Sequence, residues 1–157
     1  TYKTEGVTFN NNLSINQLKV TAGFAYTGRY NQLRSEDKSL PEFMWSPEAN
    51  ASVSYDFARL GLTANVYYKY TGKTPFYQQN FSTTPATIDQ AEIEDYHWTD
   101  ISLQKTFLKR LNVVVGVHNL FDLTRVQSSG ISAGGHGSNG NSLASGRSWY
   151  TTLVVNL

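Results

Sequence analysis

From Leu18 to Tyr30 the side chains alternate with a period of two. Leu18, Val20, Ala22, Phe24, Tyr26, Gly28 and Tyr30 share one parity; Lys19, Thr21, Gly23, Ala25, Thr27 and Arg29 share the other. That period over that length predicts a β-strand with one apolar face and one polar or small face. Val7, Phe9, Leu13 and Ile15 alternate likewise with Thr8, Asn10, Asn12 and Ser14, and Ala51, Val53, Tyr55 and Phe57 with Asn50, Ser52, Ser54 and Asp56. So do Leu60, Leu62, Ala64, Val66, Tyr68 and Tyr70 with Gly61, Thr63, Asn65, Tyr67, Lys69 and Thr71. Ile101 and Leu103 oppose Asp100, Ser102 and Gln104, and Trp149, Leu153, Val155 and Leu157 oppose Ser148, Tyr150, Thr152 and Asn156. Leu111 to Val117 is apolar on both faces at Val114. The pattern predicts about seven strands, each of roughly the 9 to 11 residues or more that a tilted membrane strand needs. Soluble strands are shorter, near 5 to 6 residues.

The connections sharpen this. Asn16-Gln17, Ala58-Arg59 and Lys109-Arg110 are tight turns, whereas 32–47, 73–94 and 122–146 are long, polar and rich in Gly, Ser, Asn and Pro. Strict alternation of short and long connections is the up-and-down plan of an outer-membrane barrel. The expected fold is therefore all-β, a transmembrane antiparallel up-and-down β-barrel. Lys19, Arg29, Lys69, Asp56 and Asp100 all take the polar parity, as a lipid-facing apolar set requires. Lys105 and Arg147 take the apolar parity close to strand ends, within snorkelling reach of the interface. Tyr26, Tyr30, Tyr68, Tyr70 and Trp149 collect toward the long-connection ends as an aromatic girdle. Seven strands in hydrocarbon would leave two edges of unpaired backbone groups, a cost of tens of kcal/mol at several kcal/mol per group. The strands are thus expected to belong to a larger barrel.

Composition fits that picture. The chain has 157 residues, 39% hydrophobic, with no cysteine, so disulfide frameworks and Cys-ligated metal sites are excluded. Thirteen basic residues against twelve acidic give a net charge of +1, which offers no field for a nucleic-acid backbone. No apolar run approaches the length of a transmembrane helix. Thr1-Tyr2-Lys3 lacks the features of a signal peptide, so the start of the protein is expected to lie elsewhere.

Three segments carry a resemblance. His118-Asn119-Leu120-Phe121-Asp122 ends the penultimate strand, a long connection follows, and Gly146-Arg147-Ser148-Trp149-Tyr150 opens the last. Pro41-Glu42-Phe43, Tyr68-Lys69-Tyr70-Thr71-Gly72-Lys73 and Thr99-Asp100-Ile101-Ser102-Leu103 fall at corresponding places. In order and spacing the whole chain resembles the C-terminal barrel portion of TonB-dependent outer-membrane receptors, the ferric siderophore type of enterobactin receptors in particular. Leu157 stands where members usually end in an aromatic residue, and Leu123 where a basic one is common.

The resemblance implies that 1–157 supplies about the last seven strands of a 22-stranded plugged barrel. The N-terminal plug and earlier strands would lie outside this chain. It implies an active-transport receptor in the bacterial outer membrane, energised by TonB through that N-terminal part. Such a protein imports a scarce nutrient, first a ferric siderophore, then haem or a corrinoid. Outer-membrane lipid and lipopolysaccharide are the expected surroundings, a surface lipoprotein is a further partner the family allows, and no resident cofactor is expected. A passive porin, a small structural barrel and a soluble β-sandwich are the alternatives to the receptor.

Substrate in this family meets the extracellular loops and the upper lumen. Arg34, Lys38, Phe43 and Trp45 in 32–47 suit an anionic aromatic iron chelate through cation–π and charge-assisted contacts; the alternative for the two aromatics is that they pack the loop onto its neighbours or mark the upper membrane boundary. Phe76 and Tyr77 in 73–94 join them, while Glu92, Glu94 and Asp95 read as a solvated charge run without EF-hand spacing. Arg125 and His136 are the candidates in 122–146; imidazole suits haem iron or cobalt, and the flanking Gly and Ser suit a surface loop with an incidental histidine. His97 and Asp100 fall on opposite strand faces, so no acid–base pair forms there and no enzyme is expected.

Overall fold

The computed structural model describes residues 2–108, 110–130 and 140–155. Seven long strands form one antiparallel sheet: β1 (Thr4–Ile15), β2 (Leu18–Tyr30), β3 (Phe43–Phe57), β4 (Leu62–Thr71), β7 (Tyr96–Phe107), β8 (Leu111–His118) and β11 (Ser148–Val155), in that spatial order. Two hairpins rise from the long connections, β5 (Thr74–Asn80) with β6 (Thr87–Ile93), and β9 (Arg125–Gln127) with β10 (Gly140–Ser142). The protein is thus all-β with a meandering antiparallel sheet. β8 and β11 have eight residues each, shorter than the alternation suggested.

Register puts like on like. A line of directly opposed residues runs Leu13, Val20, Val53, Val66, Ile101, Val117, Trp149 across all six ladders. The expected apolar parity of every long strand shares this one face. Asn10, Gly23, Asn50 and Lys69 form such a line on the opposite, polar face, where Lys69 Nζ pairs with Glu48 Oε2 at 3.2 Å.

The line is oblique to the strands. Trp149 and Tyr26 stand near the long-connection ends of β11 and β2, yet the line from Trp149 crosses β2 at Val20, six residues short of Tyr26, after five ladders. With a rise of about 3.3 Å per residue and about 4.8 Å between strands, the strands tilt by about 40° from the normal to a level joining like ends.

Aromatic side chains border the apolar face at both ends. Tyr26 stacks on Trp45 at 4.9 Å between ring centroids, Tyr30 meets Phe43 edge-on at 6.0 Å, and Tyr68 and Tyr70 flank His97. Gly28 makes room for this band, because a Cβ there would come within 2.9 Å of the Trp45 indole. At the tight-turn end Tyr55 meets Phe57 at 4.6 Å, and Phe107 sits beneath Lys105, whose ammonium bonds to Leu60 O and so leaves the apolar face. Trp45 and Tyr55 are ten residues apart on β3, about 33 Å along the strand and about 25 Å at the inclination just given.

Away from the long-connection end, where Thr99 and Val117 are buried, the described chain leaves the apolar face uncovered. Val53, Val66, Leu103 and Val115, at the centre of the apolar face, stay 38–44% exposed. Among the described residues only Ala91, Val117 and Val126 are buried hydrophobics. The accessible surface is 10991 Å², where a compact monomer of 17.6 kDa exposes about 7,900 Å². The few buried side chains, among them Asn31, Ser46, Ala91, Thr99, Asn119 and Val126, gather at the long-connection end.

On the polar face Tyr150 lies over Gly116, whose added Cβ would meet the ring at 2.5 Å. Gly116→Ala is expected to push the half-exposed Tyr150 ring aside and to lower unfolding free energy by about 1 kcal/mol, the low end of overpacking costs. The double variant with Tyr150→Ala should lose less than the two single losses combined in denaturant titration; strictly additive losses would contradict this packing.

Candidate functional site

The long-connection end is the one place where the described chain folds back on itself. After β2, Asn31 is almost fully buried: its N–H donates to Glu42 O at 2.8 Å, its side-chain amide to Pro41 O at 3.3 Å, and its side-chain oxygen accepts from Leu33 N at 3.1 Å. These bonds close the connection over a short 3₁₀ turn, Gln32–Ser35. β3 begins directly afterwards, so Phe43 and Trp45 lie on a strand and not in a loop. Cross-strand stacking on Tyr30 and Tyr26 holds them there, on the apolar face.

The connection 73–94 is mostly the β5–β6 hairpin. Lys73 Nζ bonds Glu92 Oε1 at 2.5 Å across its base, and the hydrogen bond and the carboxylate charge raise the Lys73 pKa. Glu92 is thus paired rather than merely solvated. β6 continues into the next connection: Glu94 N donates to Gln127 O at 2.9 Å and Ser129 N to Glu92 O at 2.9 Å, about a bridge between Ile93 and Ser128. β5, β6 and β9 therefore lie side by side, and Phe76 packs against Gly130.

A cleft of 630 Å³ opens between the 3₁₀ turn and β5. Its walls include Arg29 and Met44 of the polar sheet face, Tyr30 at the end of β2, Gln32 and Leu33 of the turn, and Phe76 to Gln79 with Phe81 of the hairpin. That volume lies in the range of small-molecule sites. Gln79 donates its amide N–H to Glu36, which ties the hairpin to the turn.

The candidates read from sequence divide accordingly. Phe76 and Tyr77 line this cleft. Arg34 does not: its guanidinium donates to Leu40 O within its own loop. Lys38 is exposed beside Asp37, whose carboxylate accepts from the Ser39 hydroxyl and amide and whose pKa is lowered by them. Arg125 opens β9. His136, like Leu157, lies outside the described residues. Arg29, Gln32, Gln78 and Gln79 are among the lining groups the sequence did not single out; the short polar run Tyr77-Gln78-Gln79-Asn80 beside aromatics was the available signal.

The residues that carry the resemblance have structural work to do. Asn119, fully buried with φ 55°, donates its N–H to Asp100 Oδ1 at 2.8 Å; its side chain donates to Leu123 O and accepts from Leu123 N, at 2.8 and 2.9 Å. Asp122 Oδ1 accepts from Arg147 N at 2.7 Å, tying the exit of β8 to the start of β11. Asp100 also accepts from Trp98 Nε1 at 2.7 Å and pairs with His118 Nδ1 at 3.0 Å, and His118 stacks on Tyr150. His97 meets the Tyr68 hydroxyl on the other face. Among the described residues no group of His, Asp and Glu is arranged to hold a metal ion.

Fold and site together define an open antiparallel sheet with a folded cap at one end. No family model, curated protein or solved structure matches the chain.

Asn119→Ala should leave the half-buried Leu123 N–H and O without their partners and cost about 1–3 kcal/mol. Amide exchange at Leu123 should accelerate in step with the loss. Unchanged exchange there would contradict the role assigned to Asn119.

Proposed function

We propose that the chain is seven consecutive strands of a transmembrane antiparallel β-barrel in a bacterial outer membrane, the C-terminal barrel portion of a TonB-dependent nutrient receptor. The observation that carries the barrel reading is the uncovered apolar face, continuous in register and bounded by aromatic bands about 25 Å apart. Its area is on the order of 1,000 Å² from strand spacing and height, beyond the few hundred that soluble monomers expose. Lipid is the partner that fits a surface so tall and so uniform. The inclination of about 40° agrees with the strand tilt of closed barrels. The free edges of β1 and β11 would then pair with further strands, because hydrocarbon satisfies no backbone group.

In this reading the polar face lines the lumen and the cap is extracellular. A nutrient would meet the cap first, pass the cleft beside Arg29, and enter the lumen. The receptor assignment is supported by the resemblance, whose motif residues Asn119, Asp122 and Pro41 fasten strand tops on this sheet. The resemblance puts a ferric siderophore first among substrates, with haem or a corrinoid behind it, and energy from TonB.

An arginine at Val66 would face lipid near mid-height and should cost about 2–4 kcal/mol in bilayer unfolding. An arginine at the adjacent Asn65, facing the lumen, should cost about 1 kcal/mol or less. Equal costs at the two positions would contradict the membrane reading.

A further inference from the structure

The cleft between the 3₁₀ turn and β5 has a chemistry of its own. Its walls combine aromatic rings, Tyr77 and Phe81, with side-chain amides, Gln32 and Gln79; Phe76 and Gln78, on the other side of β5, turn toward Gly130, and the Tyr30 ring meets Phe43. Arg29 is its only charged lining residue among those described. The cations that would suit a multiply charged iron chelate are committed elsewhere: Arg34 is held by Leu40 O and Lys73 by Glu92. Lys38 is not part of the lining. Burying several negative charges against one guanidinium leaves most of them uncompensated, a cost of several kcal/mol each.

Carboxamides present a donor and an acceptor side by side, the complement of a hydroxyl that also does both. Gln79 is oriented for this, since Glu36 takes its amide N–H and its oxygen is left to accept. Aromatic rings bury the apolar face of a flat ligand. A ligand satisfying both is a ring with C–H groups on its faces and hydroxyls around its rim.

We propose that this cleft binds a neutral oligosaccharide. The inference rests on the receptor reading above and replaces the anionic iron chelate as the ligand of this site. The pocket has room for a ligand of a few rings, and Arg29 at the polar-face end can donate to a ring or hydroxyl oxygen without needing an anion.

The test is calorimetric titration of the full-length receptor in detergent with short neutral gluco-, xylo-, manno- and fructo-oligosaccharides, and with a ferric catecholate as the anionic comparison. Binding of at least one sugar is expected, weakened tenfold or more by Phe81→Ala and by Gln32→Ala, both on exposed side chains, and unchanged by Lys38→Ala. Tyr77→Phe should keep most of the affinity, because it retains the ring. Each sample is also run heated and unheated on a gel. A heat-modifiable receptor that binds none of these sugars, or binds one with no loss in the Phe81 and Gln32 variants, overturns the ligand assignment alone. So does chelate binding that those two variants weaken. Loss of heat-modifiability in the unaltered receptor overturns the barrel reading and the inference with it.

Discussion

Everything in this molecule depends on strand register. Side chains alternate faces with a period of two, so a slip of one residue in any ladder would carry a whole strand's apolar set to the polar side. The chain guards against this at both ends of the strands. Asn16, Gly61 and Leu108 take left-handed conformations at the tight turns, which sets their length. At the other end Asn31 clasps Pro41 and Glu42, Gly72 N donates to Pro47 O, Asn119 clasps Asp100 and Leu123, and Asp122 holds Arg147. Gly72 is fixed at its place by closeness, since a Cβ there would press on the Pro47 ring at 2.5 Å. Motifs that resemble a receptor family thus have a physical function independent of any ligand: they lock the ladders.

A sheet locked in register but covered on neither face draws little stability from burial within itself. The described chain gathers its buried groups in the cap and at the strand ends beneath it, where three connections converge, and exposes Val, Leu, Phe and Tyr along the rest of the strands. In water such a sheet would aggregate. In a bilayer the same side chains are already in their preferred solvent, and backbone pairing becomes the dominant requirement. The proposed location follows from that reversal more directly than from any motif.

The strands were legible in the sequence because parity is a local property: β2 can be read from Leu18 to Tyr30 with no knowledge of its neighbours. The start of β3 was not, since Phe43 to Pro47 reads as irregular until Tyr26 and Tyr30 are placed opposite. The β5–β6 hairpin was hidden for another reason. Thr74-Pro75-Phe76-Tyr77-Gln78-Gln79-Asn80 has no apolar alternation, because the hairpin stands on the cap and has no single apolar face to present. The cleft was least legible. Arg29 comes from the end of β2, Gln32 from the turn after it and Phe76 to Gln79 from the β5–β6 hairpin, while Arg34, which looked like a ligand contact, is consumed by a carbonyl six residues along its own loop. Tertiary contact decides such matters, and composition does not record it.

The central claim is that the apolar face meets lipid and the polar face meets water. Nitroxide labels placed one at a time along β3 from Trp45 to Phe57, in the full-length receptor reconstituted into bilayers, test it most directly. Odd positions should collide with oxygen and be shielded from a water-soluble nickel chelate, most strongly near Ala51; even positions should show the reverse. Odd positions shielded from both reagents, as in a protein core, or open to nickel at every depth, would contradict the account.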